Sequence, residues 1–445
     1  MPATTASLLA PWQPTPDEPW NLRRVVHLHR RAGFGGTWDE IQRDLADGHE
    51  RAIERILQPT PRSDDNEFAS LSAIIADAAA GSGDVDRLKA WWLYRLLLGG
   101  DALGEKLTLM WHNHFATSYA KVGDVELMRR QNDLFREFAR RPFGELLRRT
   151  LTDPALLIWL DAASNRKEHP NENLARESME LFALGVGNYS EDDVREAARA
   201  LTGWSVHNGS SRFRDADHDT GEKTIFGQRG NWTGDDFVKM LFEHPATARR
   251  VAFRLCDAFM GETTATTALI EELAGGLREH DLDIGWGVET LLRSEAFFAE
   301  ENIGNRVLPP IDYVIGALRS LEMNSPPPGT LLLAEVAANL GQNLFEPPNV
   351  FGWPGGRSWL TTRTVIGRAN FVASLLHGDL HIPTSPFDAA AFAAGKSFTS
   401  PEGWAALYGR LLLGREKLPE EFAHHMENPD RLVAALLVSP HAQLA

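Results

Sequence analysis

In the segment DRLKAWWLYRLLLGG, which starts at Asp86, the residues Leu88, Trp91, Trp92, Arg95, Leu96 and Gly99 keep the three-to-four-residue spacing of a helix, and Gly99-Gly100 stops it. From Asn21 onward most of the chain repeats this pattern. In DVELMRRQNDLFREFARRPFGELLRRTLTDPALLIWL, from Asp124 to Leu160, it predicts two or three short helices broken at Pro142 and Pro154. The arginines there (Arg129, Arg130, Arg136, Arg140, Arg141, Arg148, Arg149) read as surface and salt-bridge residues. The expected fold is therefore all-α, mostly helical.

Two stretches break the pattern. Residues 204–233, WSVHNGSSRFRDADHDTGEKTIFGQRGNWT, have no helical period, and the alternations SRFR and KTIFG predict a small β-hairpin flanked by loops. Long ordered loops inside a compact domain are often functional. The second stretch, EPPNVFGWPGGRSWLTTRT, is dense in Pro, Gly and Trp. Residues 1–20 read as an extended, proline-rich arm. Residues 21–440 form one large helical domain, either as a single body or as two lobes, 21–323 and 331–440, joined by the linker NSPPPGT at 324–330.

A formal net charge of −16 with no long basic run excludes nucleic acid and anionic membrane as natural partners. The one cysteine, Cys256, lies in an apolar helical pattern and reads as a buried core thiol. There is no Lys or Arg before Arg23 and no apolar run of about 20 residues, so neither a secretory signal nor a membrane span is expected. As given, the chain reads as cytoplasmic.

Four motifs are candidates for chemistry. PNENLARESMELFALG, Pro170 to Gly185, opens with an N-cap at Asn171 and closes with a C-cap glycine. With Leu174 at zero and a turn of about 100° per residue, Glu177 falls near 300°, between Leu181 and Leu184, with Glu180 and Asn173 near 240° and 260°. The three polar residues make a stripe edging the apolar face. A carboxylate drawn toward low dielectric must be paired, hydrogen-bonded, metal-bound or protonated. Glu177 and Glu180 are thus either half of a structural ion pair or a catalytic acid–base or metal pair.

In EKLTLMWHNHFATS, His112 and His114 form a His-x-His pair that converges on a metal only if the helix ends near Asn113. In FRDADHDTGEKTIFG, Asp215, Asp217, His218 and Asp219 crowd five positions ahead of Gly221 and Lys223, with His207 and Asn208 upstream. This is a metal loop or a set of Asx turns, and not an EF-hand. In PPNVFGWPGGRSWL, Trp353 and Arg357 would line a cleft for a saccharide, or Trp353 would plug the core. Gly-x-Ser-x-Gly, Walker, His-Glu-x-x-His and Cys-x-x-Cys patterns are absent. RAGFGGT, Arg31 to Thr37, does not match a dinucleotide loop.

The stretches HLHRRAGFGGT, EKLTLMWHNHFATSYAKV, PNENLARESMELFALGVGNYSEDDVREAARALTGW, HDTGEKTIFG and PPNVFGWPGGRSWL together resemble the bacterial domain-of-unknown-function family 1800, in that family's order, from His27 to Phe371. The resemblance implies a mostly helical protein of this size with no established activity. It also implies relatives that often carry export signals, which keeps a periplasmic location open, and a frequent genomic neighbour that is sulfatase-like. The chain has Leu174 and Ser178 where the family motif usually has tyrosine and leucine.

The leading expectation is a metal-dependent enzyme, hydrolytic or oxidative. His112, His114, His218 and Asp219 would hold a divalent Zn, Mn or Fe. Glu177, Glu180 and Lys223 would be catalytic, and Asn173, His207, Trp353 and Arg357 would contact substrate. The alternatives are a non-catalytic partner of the sulfatase-like neighbour, or a carbohydrate-binding protein.

Overall fold

The computed structural model describes residues 7–378 and 386–445, so the first six residues of the expected arm lie outside it. The fold is mostly helical, at 62 % of the chain. Seven helices carry the argument: α1 (Leu22–Ala32), α2 (Trp38–Asp47), α3 (Asp65–Ser82), α4 (Val85–Leu98), α5 (Ala102–Phe115), α6 (Glu172–Glu177) and α7 (Pro310–Ser320). Among the described residues no helix is long and apolar enough to cross a membrane.

The helix starts follow local chemistry. Asn21 accepts from the Arg24 N–H, and Thr37 forms a capping box with Glu40 ahead of α2. Pro142 and Pro154 sit at the starts of the helices Phe143–Leu151 and Pro154–Trp159, where a missing N–H costs nothing.

The irregular segment holds two hairpins where one was expected. Trp204–His207 (β1) pairs antiparallel with Ser210–Phe213 (β2), and Lys223–Ile225 (β3) with Gln228–Gly230 (β4). The first turn is Asn208-Gly209, with φ of 49° and 67°. Both residues are left-handed, as a tight hairpin turn requires.

The described part of the arm, from Ser7, is extended and docked. The Trp12 N–H donates to Arg293 O at 2.8 Å, and its ring, 2 % exposed, lies 4.9 Å from Phe298. Burial of a tryptophan contributes up to about 4–6 kcal/mol, so this contact anchors the arm.

Two apolar clusters make the core: the buried residues of one run from Trp12 to Phe298, and the other spans the linker. Trp91 and Trp92 of α4 share a cluster with Leu333 and Ala337 from the helix Thr330–Asn339 and with Leu432 and Leu436 near the end of the chain. Residues on both sides of 324–330 are therefore packed into one core. Cys256 is fully buried, and burial pushes its thiol up to about 12.

Two buried charge groups tie helices together. Glu105 of α5 accepts from Arg95 at 2.9 Å, Arg136 at 2.7 Å and the Trp92 indole at 3.0 Å. The Lys106 ammonium donates to Gly33 O at 2.7 Å, to Arg30 O at 3.1 Å and to Asp312 of α7 at 2.8 Å. It thereby clamps the glycine turn 33–36, in which Gly35 stands at φ +86°.

Candidate functional site

The segment PNENLARESMELFALG is not one α-helix. Asn171 caps α6 as expected, accepting from the Asn173 N–H at 2.9 Å, but Ser178–Ala183 is π-helical and ends at Gly185, φ +83°. A constant 100° turn therefore holds only to Glu177. Single π turns are rare and frequent at functional sites.

Glu180 accepts from the Tyr189 hydroxyl at 2.6 Å. Glu177 is half-buried and has no ion pair or hydrogen bond among the described residues. Burial raises its pKa, the Glu180 charge adds to the rise, and Arg176 opposes it. Arg176 is itself engaged by Glu172 and Glu191. Asn173 donates to Leu160 O at 3.2 Å, which makes it a helix-docking residue.

The histidines diverge. Helix α5 continues to Phe115, so His112 and His114 leave it in different directions. His112 is enclosed by Trp92, Phe345 and Trp353 at ring distances of 5.2, 5.4 and 5.5 Å, and burial drives its pKa down to about 3. Its Nε2 is buried without a partner. His114 Nε2 lies 3.0 Å from Phe182 O in the π turn. Burial, then the charges of Arg254 and Arg250, hold its pKa well below the usual value.

The acidic loop is closed on itself. His218 Nδ1 is 2.9 Å from Thr202 O, and Asp219 accepts from Arg199 Nε at 2.7 Å. The Lys223 ammonium is engaged by Asp219 O at 2.5 Å and Gly221 O at 2.9 Å, which leaves it holding the turn rather than a substrate. His207 is exposed at the tip of the first hairpin. Trp353 is the core plug of the two readings: it is 5 % exposed, and its N–H donates to Asn113 Oδ1 at 2.7 Å. Arg357 is exposed nearby.

The expected metal centre is thus not assembled. No group of three or more His, Cys, Asp or Glu side chains converges among the described residues. The physical reason is that α5 sends its two histidines apart and that most of the other donors are already engaged. His112 sits in an aromatic box, His114 and His218 bond to backbone carbonyls, and Asp219 is paired to arginine.

A different constellation stands behind the glycine turn. His29 of α1 places Nε2 2.9 Å from Asp44 Oδ2, and Asp44 also accepts from Arg43 Nε at 3.1 Å and from Arg55. Asp44 is 1 % exposed. Burial raises its pKa, but the hydrogen bonds and charges of His29 and Arg43 outweigh this and hold it below the usual range. With Nε2–H donated to Asp44, Nδ1 is left as the base, and it has no hydrogen bond among the described residues. A Cβ on Gly36 would stand 2.9 Å from it, so glycine keeps that nitrogen clear.

His29 and Asp44 line a cavity of about 90 Å³, and a cleft of about 420 Å³ adjoins it. Glu40 and Arg319, 3.8 Å apart, line both. The larger space lies in the range of ligand pockets. Its wall includes the Phe68–Tyr94 pair, stacked at 5.4 Å and 8°. The sequence signal for this pair is His29 followed by the run GFGG at 33–36, and no spacing in the chain points from it to Asp44.

The helical architecture and the ordered signature segments define one family of helical proteins. The chain belongs to the family described as "Protein of unknown function (DUF1800)", whose model matches residues 27–444. No curated protein and no solved structure matches the chain.

Proposed function

We propose that the chain is an acid–base enzyme for a small polar substrate held in the cleft bordered by α2, α3, α4 and α7. His29 would accept a proton at Nδ1 from a substrate hydroxyl or a water. Asp44 would orient the ring and stabilise the imidazolium. The observation that carries this reading is the His29–Asp44 pair, with one ring nitrogen unpartnered, next to a cavity of ligand size. The Tyr94 face beside Arg319 and Glu40 suits a polyhydroxylated ring, so a saccharide is the favoured substrate class. A metal-dependent version would require the dispersed histidines and carboxylates to regroup.

A thermal-shift screen of neutral sugars and sugar acids, run on wild type, Arg319→Ala and His29→Gln, tests the reading. A hit should raise Tm in wild type, fail in Arg319→Ala and survive in His29→Gln, with turnover lost in His29→Gln. Binding that survives both Arg319→Ala and Tyr94→Ala, or turnover that persists without His29, would overturn it. A chain that binds no sugar but co-purifies with a sulfatase-like protein would favour the assembly role.

A further inference from the structure

We propose, resting on the saccharide reading of the cleft, that its substrate carries an apolar tail: an alkyl or aryl glycoside whose hydrocarbon part lies along α3. The run FASLSAIIADAAAGS, Phe68 to Ser82, has one charged residue, Asp77, and is apolar on nearly every side. Such a helix is expected to be buried all round. α3 is not. It packs on α4 and on the helix Val125–Glu137, and the residues it buries fully are the small ones, Ser72, Ala76 and Ala79. The Ser72 hydroxyl fixes this orientation, because it accepts from the Trp91 indole and from Arg95, both at 3.0 Å. Larger apolar side chains are left outside: Leu71 is 43 % exposed and Ile74 64 %.

With Leu71 at zero and a turn of about 100° per residue, Ser72, Ala76 and Ala79 fall between about 80° and 140°, whereas Ile74 and Ala78 fall near 300° and 340°. Leu71, Ile74 and the exposed Ala78 therefore form one outward strip. The strip starts in the cleft. Leu71 lines it together with Phe68, Tyr94, Leu97 and Leu98, and Ile74 and Ala78 carry the apolar surface on beyond the wall. The same cleft thus offers Arg319 and Glu40 to hydroxyls and hydrocarbon to whatever the ring bears.

Size selects the occupant. At 1.5 Å per residue the strip from Leu71 to Ala78 is about 10 Å long, and a helix is about 10 Å wide, so it offers roughly 100 Å². A stable protein partner covers about 800 Å² on each side. The strip is therefore matched to a short hydrocarbon chain and too small for a protein interface.

Calorimetric titration of the full chain with methyl, butyl and octyl β-glucoside, each below its micelle concentration, and with octanol tests this. A fully buried methylene is worth about fourfold in affinity; on an open strip, at half that free energy, it is worth about twofold. Octyl glucoside should therefore bind on the order of a hundredfold tighter than methyl glucoside, with butyl glucoside between them. Ile74→Gln and Leu71→Gln change exposed positions to a good helix former, and each should cut that ratio about tenfold. Octyl and methyl glucoside binding within about threefold of each other, or a ratio unchanged in both variants, would overturn the tail and leave the saccharide reading standing. If octanol binds as tightly as octyl glucoside and Arg319→Ala weakens neither, the saccharide reading fails and the apolar strip stands. A dimer in sedimentation that Ile74→Gln turns into a monomer would assign the strip to a second copy and sink the proposal.

Discussion

Asp44 holds His29 Nε2 at 2.9 Å with one oxygen while its other takes Arg43 Nε at 3.1 Å, and it is 1 % exposed. Removing it leaves a buried imidazole and two guanidiniums without their acceptor. Asp44→Ala should therefore cost about 2–3 kcal/mol, a value kept low because both arginines reach water. The Asp44 pKa lies below 3.8 in the fold, so its stabilisation is present above about pH 4 and is lost as pH falls further. Urea melts of wild type and Asp44→Asn from pH 2 to 7 would measure this; the variant should show a flatter acid limb.

Glu105 gives a stronger case. Burial alone would raise its pKa, but Arg136 and Arg95 outweigh burial and bring it from 4.5 to about 2. Its contribution is complete above pH 4.5 and disappears as pH falls through about 2. A shift of that size corresponds to about 3 kcal/mol. Glu105→Gln should lose most of this at pH 7 in a chemical melt and little at pH 2.

His112 acts in acid too, for a different reason. Burial brings its pKa from 6.5 to about 3, so the fold refuses a proton that the unfolded chain accepts. Stability falls as pH drops from 6.5 toward 3, by about 1.4 kcal/mol per unit for one histidine. His112→Phe keeps the ring in its aromatic box and removes the unpartnered Nε2. It should stay within about 1.5 kcal/mol of wild type at pH 7 and be more stable than wild type at pH 5, read by thermal denaturation.

Glu177 has neither an arginine nor a cluster of histidines opposite it among the described residues. Its raised pKa means that the charged form is disfavoured in the fold, and that penalty is felt above the carboxylate range. Glu177→Gln should match or exceed wild-type Tm at pH 7, and Glu180→Gln, which weakens the Tyr189 contact, should lower it. With the donors dispersed, protein purified without a histidine tag should carry no near-stoichiometric zinc, manganese or iron by elemental analysis. A stoichiometric metal lost in both Glu177→Gln and His112→Ala would mean that these segments regroup on binding.

Most helices were legible because their signals are local. The caps at Asn171 and Gly185, the stop at Gly99 and the breaks at Pro142 and Pro154 all act within a turn of the backbone they control. The runs SRFR and KTIFG read as one hairpin but belong to two, because Asn208-Gly209 closes the first and Phe226-Gly227 the second. The π turn after Glu177 has no sequence period of its own. It follows from where Leu181 O and Phe182 O are held, by Arg250 at 2.9 Å and by His114 at 3.0 Å.

Amino-acid order alone settled the helical class, the helix ends, the buried cysteine and the family, since periodicity, caps and signature segments are properties of neighbours in the chain. Tertiary structure decided which polar groups meet. It separated His112 from His114 by continuing one helix to Phe115, and it closed Asp219 onto Arg199. It also set Arg319 beside Glu40, 279 residues away in sequence, at the mouth of the His29–Asp44 cavity. Such meetings depend on how whole helices pack, and packing is fixed by the sum of many apolar contacts that no single motif encodes.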